Sequence, residues 1–193
     1  LISALSNVHH QGQFGDFEDK KGDDLLKISE KKNLLIVQLV QFKNSNIQIE
    51  SIDIDGLKLK DTPLNVTFNE NTRILWNGPK SWFLVSTKKD LIKDISLKFK
   101  DSDFAVTDLS HSRAVIEIEG NYTKEVLKKG SPFNFDSLKK NNSINSLYNN
   151  IAFTVDVLND NPYKVRLFAL RSFGESLYQS ITDASLEFGY QSI

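Results

Sequence analysis

Two stretches constrain this chain more than any others. RILWNGPKSWFLVS, residues 73–86, sets two apolar runs around Asn77-Gly78-Pro79-Lys80. Asn-Gly followed by Pro is a turn signal, so the stretch reads as a β-hairpin. IAFTVDVLNDNPYKVRLFAL, residues 151–170, does the same around Asn159-Asp160-Asn161-Pro162. Each hairpin runs straight into a helical pattern, STKKDLIKDI after the first and RSFGESLYQSI after the second. This arrangement belongs to α+β proteins whose antiparallel sheets are covered by helices.

The flanking segments extend the pattern. LLIVQLVQF, residues 34–42, has the length and β-branched content of a buried strand. The next segment, NSNIQIESIDIDGLKL, fits two readings. Ile47, Ile49, Ile52 and Ile54 partly alternate, as in a strand, whereas an N-cap at Asn44 or Ser45 with Ile47, Glu50 and Ile54 on one side suits a short helix. Thr87 is placed to cap a helix through about Phe99, with Leu91, Ile92, Ile95 and Leu97 or Phe99 facing the core. Residues 103–109 and the alternating RAVIEIE, 113–119, are strands. A short helix follows Gly120 and stops at Gly130, before Pro132. Residues 137–146 read as a polar connector. The last helix covers Ser172 to Phe188, with Leu177, Ile181, Ala184 and Phe188 on its apolar side and Gly189 as the residue that ends it.

The two halves therefore share an element order, a duplicated βαββα unit, without strong identity between them. The expected organisation is a flexible N-terminal arm at 1–24, a first half at 25–110 and a second half at 111–193, the halves forming one compact unit. The 193 residues suffice for that.

Composition narrows the function. With 24 basic and 25 acidic residues the formal charge is −1, which gives no reason to expect nucleic acid or an anionic membrane as a partner. There is no cysteine, so a disulfide framework, a thiolate metal site and a cysteine nucleophile are excluded. LISALSNVHH lacks the basic and apolar regions of a signal peptide, and Leu34–Val40 is too short to span a bilayer. Sequons at Asn65, Asn121 and Asn141 carry little weight without a secretion signal. The cytoplasm is the expected compartment.

VTDLSHSR, residues 106–113, has the residue types of a hydrolytic triad. In an extended chain, however, Asp108 and Ser110 point to one face and His111 and Arg113 to the other, and no G-x-S-x-G elbow surrounds Ser110. Asp108 is better suited to accept backbone hydrogen bonds at the break between two strands, with Ser110 capping the turn. His111 and Arg113 are left as ligand or partner contacts. GPKS, 78–81, lacks the preceding glycines of a phosphate loop, and Pro79 removes a donor. Asp53-Ile-Asp55-Gly56 is a fragment of a calcium loop without its bidentate Glu. His9-His10 has only one further histidine for company, too few for a metal site. No G-x-G-x-x-G opens a helix after a strand. Trp76 and Trp82 bracket the hairpin turn as core residues, and an exposed one would be an interface anchor. Arg171-Ser172 lies where a helix N-terminus can meet an anion, although capping explains the serine equally well.

Three blocks carry a family resemblance. LWNGPKSWFLV resembles the "LGPDEWLL" hairpin of sarcosine oxidase gamma subunits. VTDLSHSRAVIEIEG with EVLKKGSPFNFD resembles their "DVSHGRTVLRLSG…VLAKGCPLDL" block, and LFALRSFGESLYQSITDASLEFG their closing "VPRSFAEYLWDWLLDAAAEFG". The blocks keep the family's order and spacing over roughly residues 73–189. Lys80-Ser81 and Ser131 replace the family's acidic residues and its cysteine.

The resemblance implies a fold related to the folate-binding domains of glycine-cleavage aminomethyltransferases. It implies a non-catalytic gamma subunit of a heterotetramer that demethylates sarcosine oxidatively to glycine, with hydrogen peroxide and one-carbon transfer to tetrahydrofolate. It implies alpha, beta and delta subunits as partners, alpha most directly. FAD, FMN, NAD, tetrahydrofolate and zinc then belong to the other subunits, with no cofactor, metal or catalytic residue on this chain. Trp82, Asp108, Ser110, His111, Arg113 and Arg171 stand as structural or partner-contact candidates. A stand-alone folate or one-carbon-binding protein of the same fold is the second reading. A small hydrolase using Ser110 and His111 is the third.

Overall fold

The computed structural model describes residues 3–193. In chain order the strands are β1 (Gly12–Phe14), β2 (Leu26–Glu30), β3 (Leu35–Gln41), β4 (Asp53–Ile54), β5 (Leu57–Lys58), β6 (Val66–Phe68), β7 (Thr72–Gly78), β8 (Ser81–Ser86), β9 (Phe104–Asp108), β10 (Arg113–Glu119), β11 (Ser143–Tyr148), β12 (Ile151–Asp160), β13 (Tyr163–Leu170) and β14 (Tyr190–Ser192). The helices are α1 (Leu91–Lys98), α2 (Thr123–Gly130) and α3 (Gly174–Ser185), with short 3-10 turns at Ile49–Ser51, Phe135–Ser137, Arg171–Phe173 and Leu186–Phe188.

Both hairpins form where their turn residues place them. β7 and β8 pair antiparallel with Trp76 opposite Trp82 and a bulge between Trp76 and Gly78. β12 and β13 pair antiparallel with a bulge between Val157 and Asn159. Each hairpin thus carries its irregularity close to its tip, where the extra residue tightens the twist.

The chain divides into two compact units. The inserted unit holds residues 33–111 and 141–144, and the terminal unit holds the rest. The inserted unit builds a five-stranded sheet in the order β6-β7-β8-β3-β9. Its core joins Leu35, Val37 and Leu39 of β3 to Ile74, Trp82, Leu84 and Phe104, under Leu91, Ile95 and Phe99 from α1 and its end. The terminal unit builds a seven-stranded sheet in the order β1-β14-β2-β10-β13-β12-β11. Read from the other edge, β11, β12, β13, β10 and β14 repeat β6, β7, β8, β3 and β9, and α3 follows β13 as α1 follows β8. The strand order is therefore duplicated, but α2 after β10 is matched after β3 only by the 3-10 turn at Ile49–Ser51, so the first helix of the expected repeat is present in one unit and not in the other among the described residues. The terminal unit adds two strands, β2 inserted beside β10, and β1 outside β14. The β2–β14 pair is parallel, whereas β1–β14, β2–β10, β10–β13 and β12–β13 are antiparallel.

Several expectations need correction. Residues 3–24 are not a free arm. Leu5 is wholly buried, β1 pairs with β14, and the buried Glu30 carboxylate accepts hydrogen bonds from Ser3 Oγ and from Ala4 N at 2.8 Å. The polar surface of this segment hides those few anchors. Residues 25–32 lie in the terminal unit, where β2 pairs with β10, and the chain passes between the units at 32/33, 111/112, 140/141 and 144/145. Residues 44–58 form neither a helix nor one strand, but a 3-10 turn and the small β4–β5 hairpin. Asp55 and Gly56 take φ of 54° and 78° there, the left-handed pair that such a turn requires. Thr87 does not cap α1, because its hydroxyl donates to Asn71 Oδ1 at 3.2 Å, and the helix begins at Leu91. The supposed connector contains β11, anchored by the wholly buried Tyr148.

Close approaches fix α3. A Cβ on Gly174 would lie 2.7 Å from that of Ala114, so glycine lets the helix seat on β10. Gly189 has φ of 69° and a Cβ there would meet Asp16 O at 2.2 Å. The chain turns into β14 at that point under the N-terminal segment.

Because the N-terminal segment is part of the core, Leu5→Ala is expected to lower unfolding stability by about 2–5 kcal/mol in a urea titration. An unchanged midpoint would return residues 3–24 to the status of an arm.

Candidate functional site

The residues singled out by sequence gather mainly where β9 passes to β10. β3 and β9 pair antiparallel, and Leu109 N donates to Ile36 O at 2.7 Å as the ladder ends. Asp108 Oδ1 accepts from Ser110 N at 2.9 Å and from Ser110 Oγ at 2.5 Å. Ser110 Oγ in turn accepts from Ile36 N at 3.0 Å. The aspartate makes an Asx-type turn, and the serine hydroxyl continues the β-ladder as an acceptor. The single hydroxyl proton of Ser110 is thus given to a carboxylate and not to an imidazole. His111 is exposed beside this clamp.

Arg113 and Arg171 both belong to the terminal unit. Arg113 lies opposite Leu170 in the β10–β13 register, and Arg171 N donates to Ser112 O at 2.8 Å. Arg113 Nη1 reaches Ser112 O at 3.3 Å and Ser112 Oγ at 3.2 Å, and burial pushes its guanidinium pKa down from the ordinary value. Leu170 and Phe173, exposed by 46% and 48%, flank the half-buried Arg171 and the exposed Ser172 in sequence. Trp82 is buried, and its Nε1 donates to Lys60 O at 2.9 Å. Trp76 is half-buried and donates to Asp61 Oδ1 at 2.8 Å, the same carboxylate that receives Lys80 N at the hairpin turn. GPKS is therefore a turn held by Asp61.

Two ionic clusters were not singled out from sequence. Glu117, buried on β10, accepts from Arg166 Nε at 2.9 Å and Nη2 at 2.7 Å, with Lys164 at 3.3 Å and Lys31 at 3.5 Å from its other oxygen. Burial pushes the Glu117 carboxyl up, but Arg166, Lys164 and Lys31 together outweigh burial and hold it below the ordinary carboxylate value. The register continues through Arg166 to the buried Asp156. The available signal was a glutamate and an arginine inside otherwise apolar strands, RAVIEIE and YKVRLFAL, where a buried charge requires a partner. In the inserted unit, Asp55 accepts from Lys88 Nζ at 2.7 Å, Thr72 Oγ1 at 2.7 Å and Asn69 Nδ2 at 3.0 Å. The ammonium of Lys88, first among these, holds the Asp55 pKa down at about 2. The calcium-loop fragment is thus satisfied by a lysine.

Among the described residues no group of three or more His, Cys, Asp and Glu is placed to hold a metal ion. Nor, among them, is any helix long and apolar enough to cross a membrane. An open groove of about 510 Å³ runs along α3 and β14, lined by Gln179, Ser180, Thr182, Asp183, Leu186 and Tyr190.

No family model matches the sequence, and no curated protein matches it. Solved structures do. A chain of the heterotetrameric sarcosine oxidase from Corynebacterium sp. U-96, in complex with pyrrole 2-carboxylate, superimposes with a TM-score of 0.76 at 22% identity, over 87% of this chain and 87% of that chain. This chain has the sarcosine oxidase-type fold. The glycine cleavage system aminomethyltransferase T from Bartonella henselae superimposes with a TM-score of 0.60 at 9% identity, over 81% of this chain and 45% of that one. The chain therefore spans less than half of the aminomethyltransferase and shares its α+β layout, the fold that the three sequence blocks implied.

Two outcomes test the site's physics. Ser110→Ala leaves Ile36 N without its acceptor, and is expected to cost about 1–3 kcal/mol in equilibrium unfolding. Asp55 is low in the fold and ordinary when unfolded. Its contribution is complete above about pH 4 and is lost as the pH falls through about 2. Asp55→Asn is expected to flatten the fall in stability over that window, read as urea midpoints at successive pH values.

Proposed function

We propose that this chain is a gamma-type, non-catalytic subunit of a heteromeric sarcosine oxidase, serving assembly against the large subunit. The observation that carries the reading is the reciprocal coverage, 87% of each chain, with a chain of a heterotetrameric sarcosine oxidase. A shared domain inside an unrelated larger protein would not give that match in length. The three sequence blocks in family order support it. So does the clamp at 108–110, since a serine that donates to Asp108 and accepts from Ile36 N is placed as a turn-former. On this reading the partners are alpha, beta and delta subunits. FAD, FMN, NAD, tetrahydrofolate and zinc reside on those subunits, and the complex converts sarcosine to glycine, hydrogen peroxide and a one-carbon unit in the cytoplasm.

The test is co-expression with candidate alpha, beta and delta subunits, purification through a tag on this chain, and a visible spectrum with sarcosine-dependent peroxide production. A yellow, active complex that loses integrity when this chain is omitted is expected. A colourless chain that purifies alone overturns the reading. Saturable tetrahydrofolate binding by that lone chain would then favour the stand-alone one-carbon-binding protein that the aminomethyltransferase likeness suggests.

A further inference from the structure

The internal duplication exposes a difference between the two last strands. In the terminal unit the outer edge of β14 is covered: β1 pairs with it antiparallel, Gly12 opposite Ser192, Gln13 opposite Gln191 and Phe14 opposite Tyr190. In the inserted unit the equivalent strand, β9, ends the sheet, and among the described residues no strand lies outside it.

The register states which backbone groups that leaves. Leu109 N bonds Ile36 O and Phe42 N bonds Asp103 O, so the hydrogen-bonded pairs of the β3–β9 ladder are 36/109, 38/107, 40/105 and 42/103. In an antiparallel ladder the intervening residues turn their backbone groups the other way. Val106 N–H and C=O, Phe104 C=O and Asp108 N–H therefore point off the sheet, and none has a hydrogen-bond partner among the described residues. Ala105 and Thr107 put only small side chains beside this edge, and Thr107 and Asp108 are exposed. Neither a lysine nor a proline within the strand protects it, the usual means of blunting an edge. The other edge of this sheet is treated differently. Asn65, beside β6, bridges to Asn142, and Thr67 Oγ1 reaches Lys58 O at 3.1 Å.

We propose that the outer edge of β9 receives an extended segment of the partner subunit, as β14 receives β1. The proposal rests on the subunit reading above and specifies its contact. The occupant is at least three residues long, pairs through backbone hydrogen bonds, and carries Lys or Arg beside the paired stretch. Asp101, Asp103 and Asp108 at the ends of β9, against Lys100 alone, set that charge preference. They also disfavour a second copy of this chain, because β9 paired with β9 brings two acidic strand ends together.

Residue-resolved amide hydrogen exchange on the free chain and on the co-expressed complex tests this. In the free chain Val106 and Asp108 amides are expected to exchange fast, and Ala105 and Thr107 amides slowly because β3 binds them. In the complex Val106 and Asp108 are expected to slow at least tenfold, with Ala105 and Thr107 little changed. Val106→Pro removes an outward N–H, which edge strands tolerate, and puts a ring of similar size where the valine packs, partly buried, against the core. It is expected to keep the thermal midpoint within a few degrees while reducing recovery of the complex at least tenfold. A complex in which Val106 and Asp108 exchange as in the free chain overturns the edge assignment and leaves the subunit reading standing. Failure of any complex to form overturns the subunit reading and this proposal with it. A free chain that is already dimeric, with Val106 and Asp108 protected, gives the edge to a second copy and overturns the partner-subunit occupant.

Discussion

The serine at position 110 decides how the middle of this chain is to be understood. Its hydroxyl gives its proton to Asp108 and accepts the amide of Ile36, and so ends the β3–β9 ladder where the chain leaves for β10. Without that acceptor the first amide of the ladder would lack a partner, a cost comparable to a lost hydrogen bond. Those same two bonds occupy the groups that a nucleophile would need free. A sequence with the residue types of a triad thereby forms the turn at which β9 ends.

The duplication supplies the rest of the architecture. A hairpin that feeds a helix directly, used twice, gives two sheets with the same strand order. The terminal unit has elaborated its copy. β2 enters beside β10, β1 closes the edge at β14, and the N-terminal residues are tied down through Leu5 and Glu30. The inserted unit carries no such additions, and its β9 edge stays open. Charges follow a matching economy. Glu117 on the central strand is buried only in company with Arg166, Lys164 and Lys31, while Asp55, half-buried, is held by Lys88, Thr72 and Asn69. Breaking one member of such a set costs far more than the net value of the set, because the remaining charge is left buried.

How much was legible depended on range. The hairpins, α2, α3 and the strands 34–42, 103–109 and 113–119 were readable because local periodicity and turn residues specify them. The backbone hydrogen bond accepted by Asp108 was readable from strand alternation together with turn chemistry. What failed was specified by distant partners. Leu5 is one apolar residue in a polar segment, and only the fold shows it buried. Thr87 is a good cap in isolation, but Asn71 competes for its hydroxyl. β11 hides in a polar run, and Tyr148, whose hydroxyl donates to Val126 O at 2.9 Å, is what fixes it. Glu117 and Arg166 lie 49 residues apart, so their pairing needs the β10–β13 register and cannot be seen in either strand by itself.

The central claim is that the 106–113 segment supports a fold and does not perform chemistry. The direct test is turnover per flavin, with sarcosine, of complexes carrying Ser110→Ala or His111→Ala, normalised to the amount of this chain retained in each complex. The account predicts that normalised turnover stays within about twofold of the unaltered complex for both variants, with any loss for Ser110→Ala traced to less chain retained. A fully occupied complex whose turnover falls a hundredfold or more on either substitution would contradict it, and would make the segment a catalytic site after all.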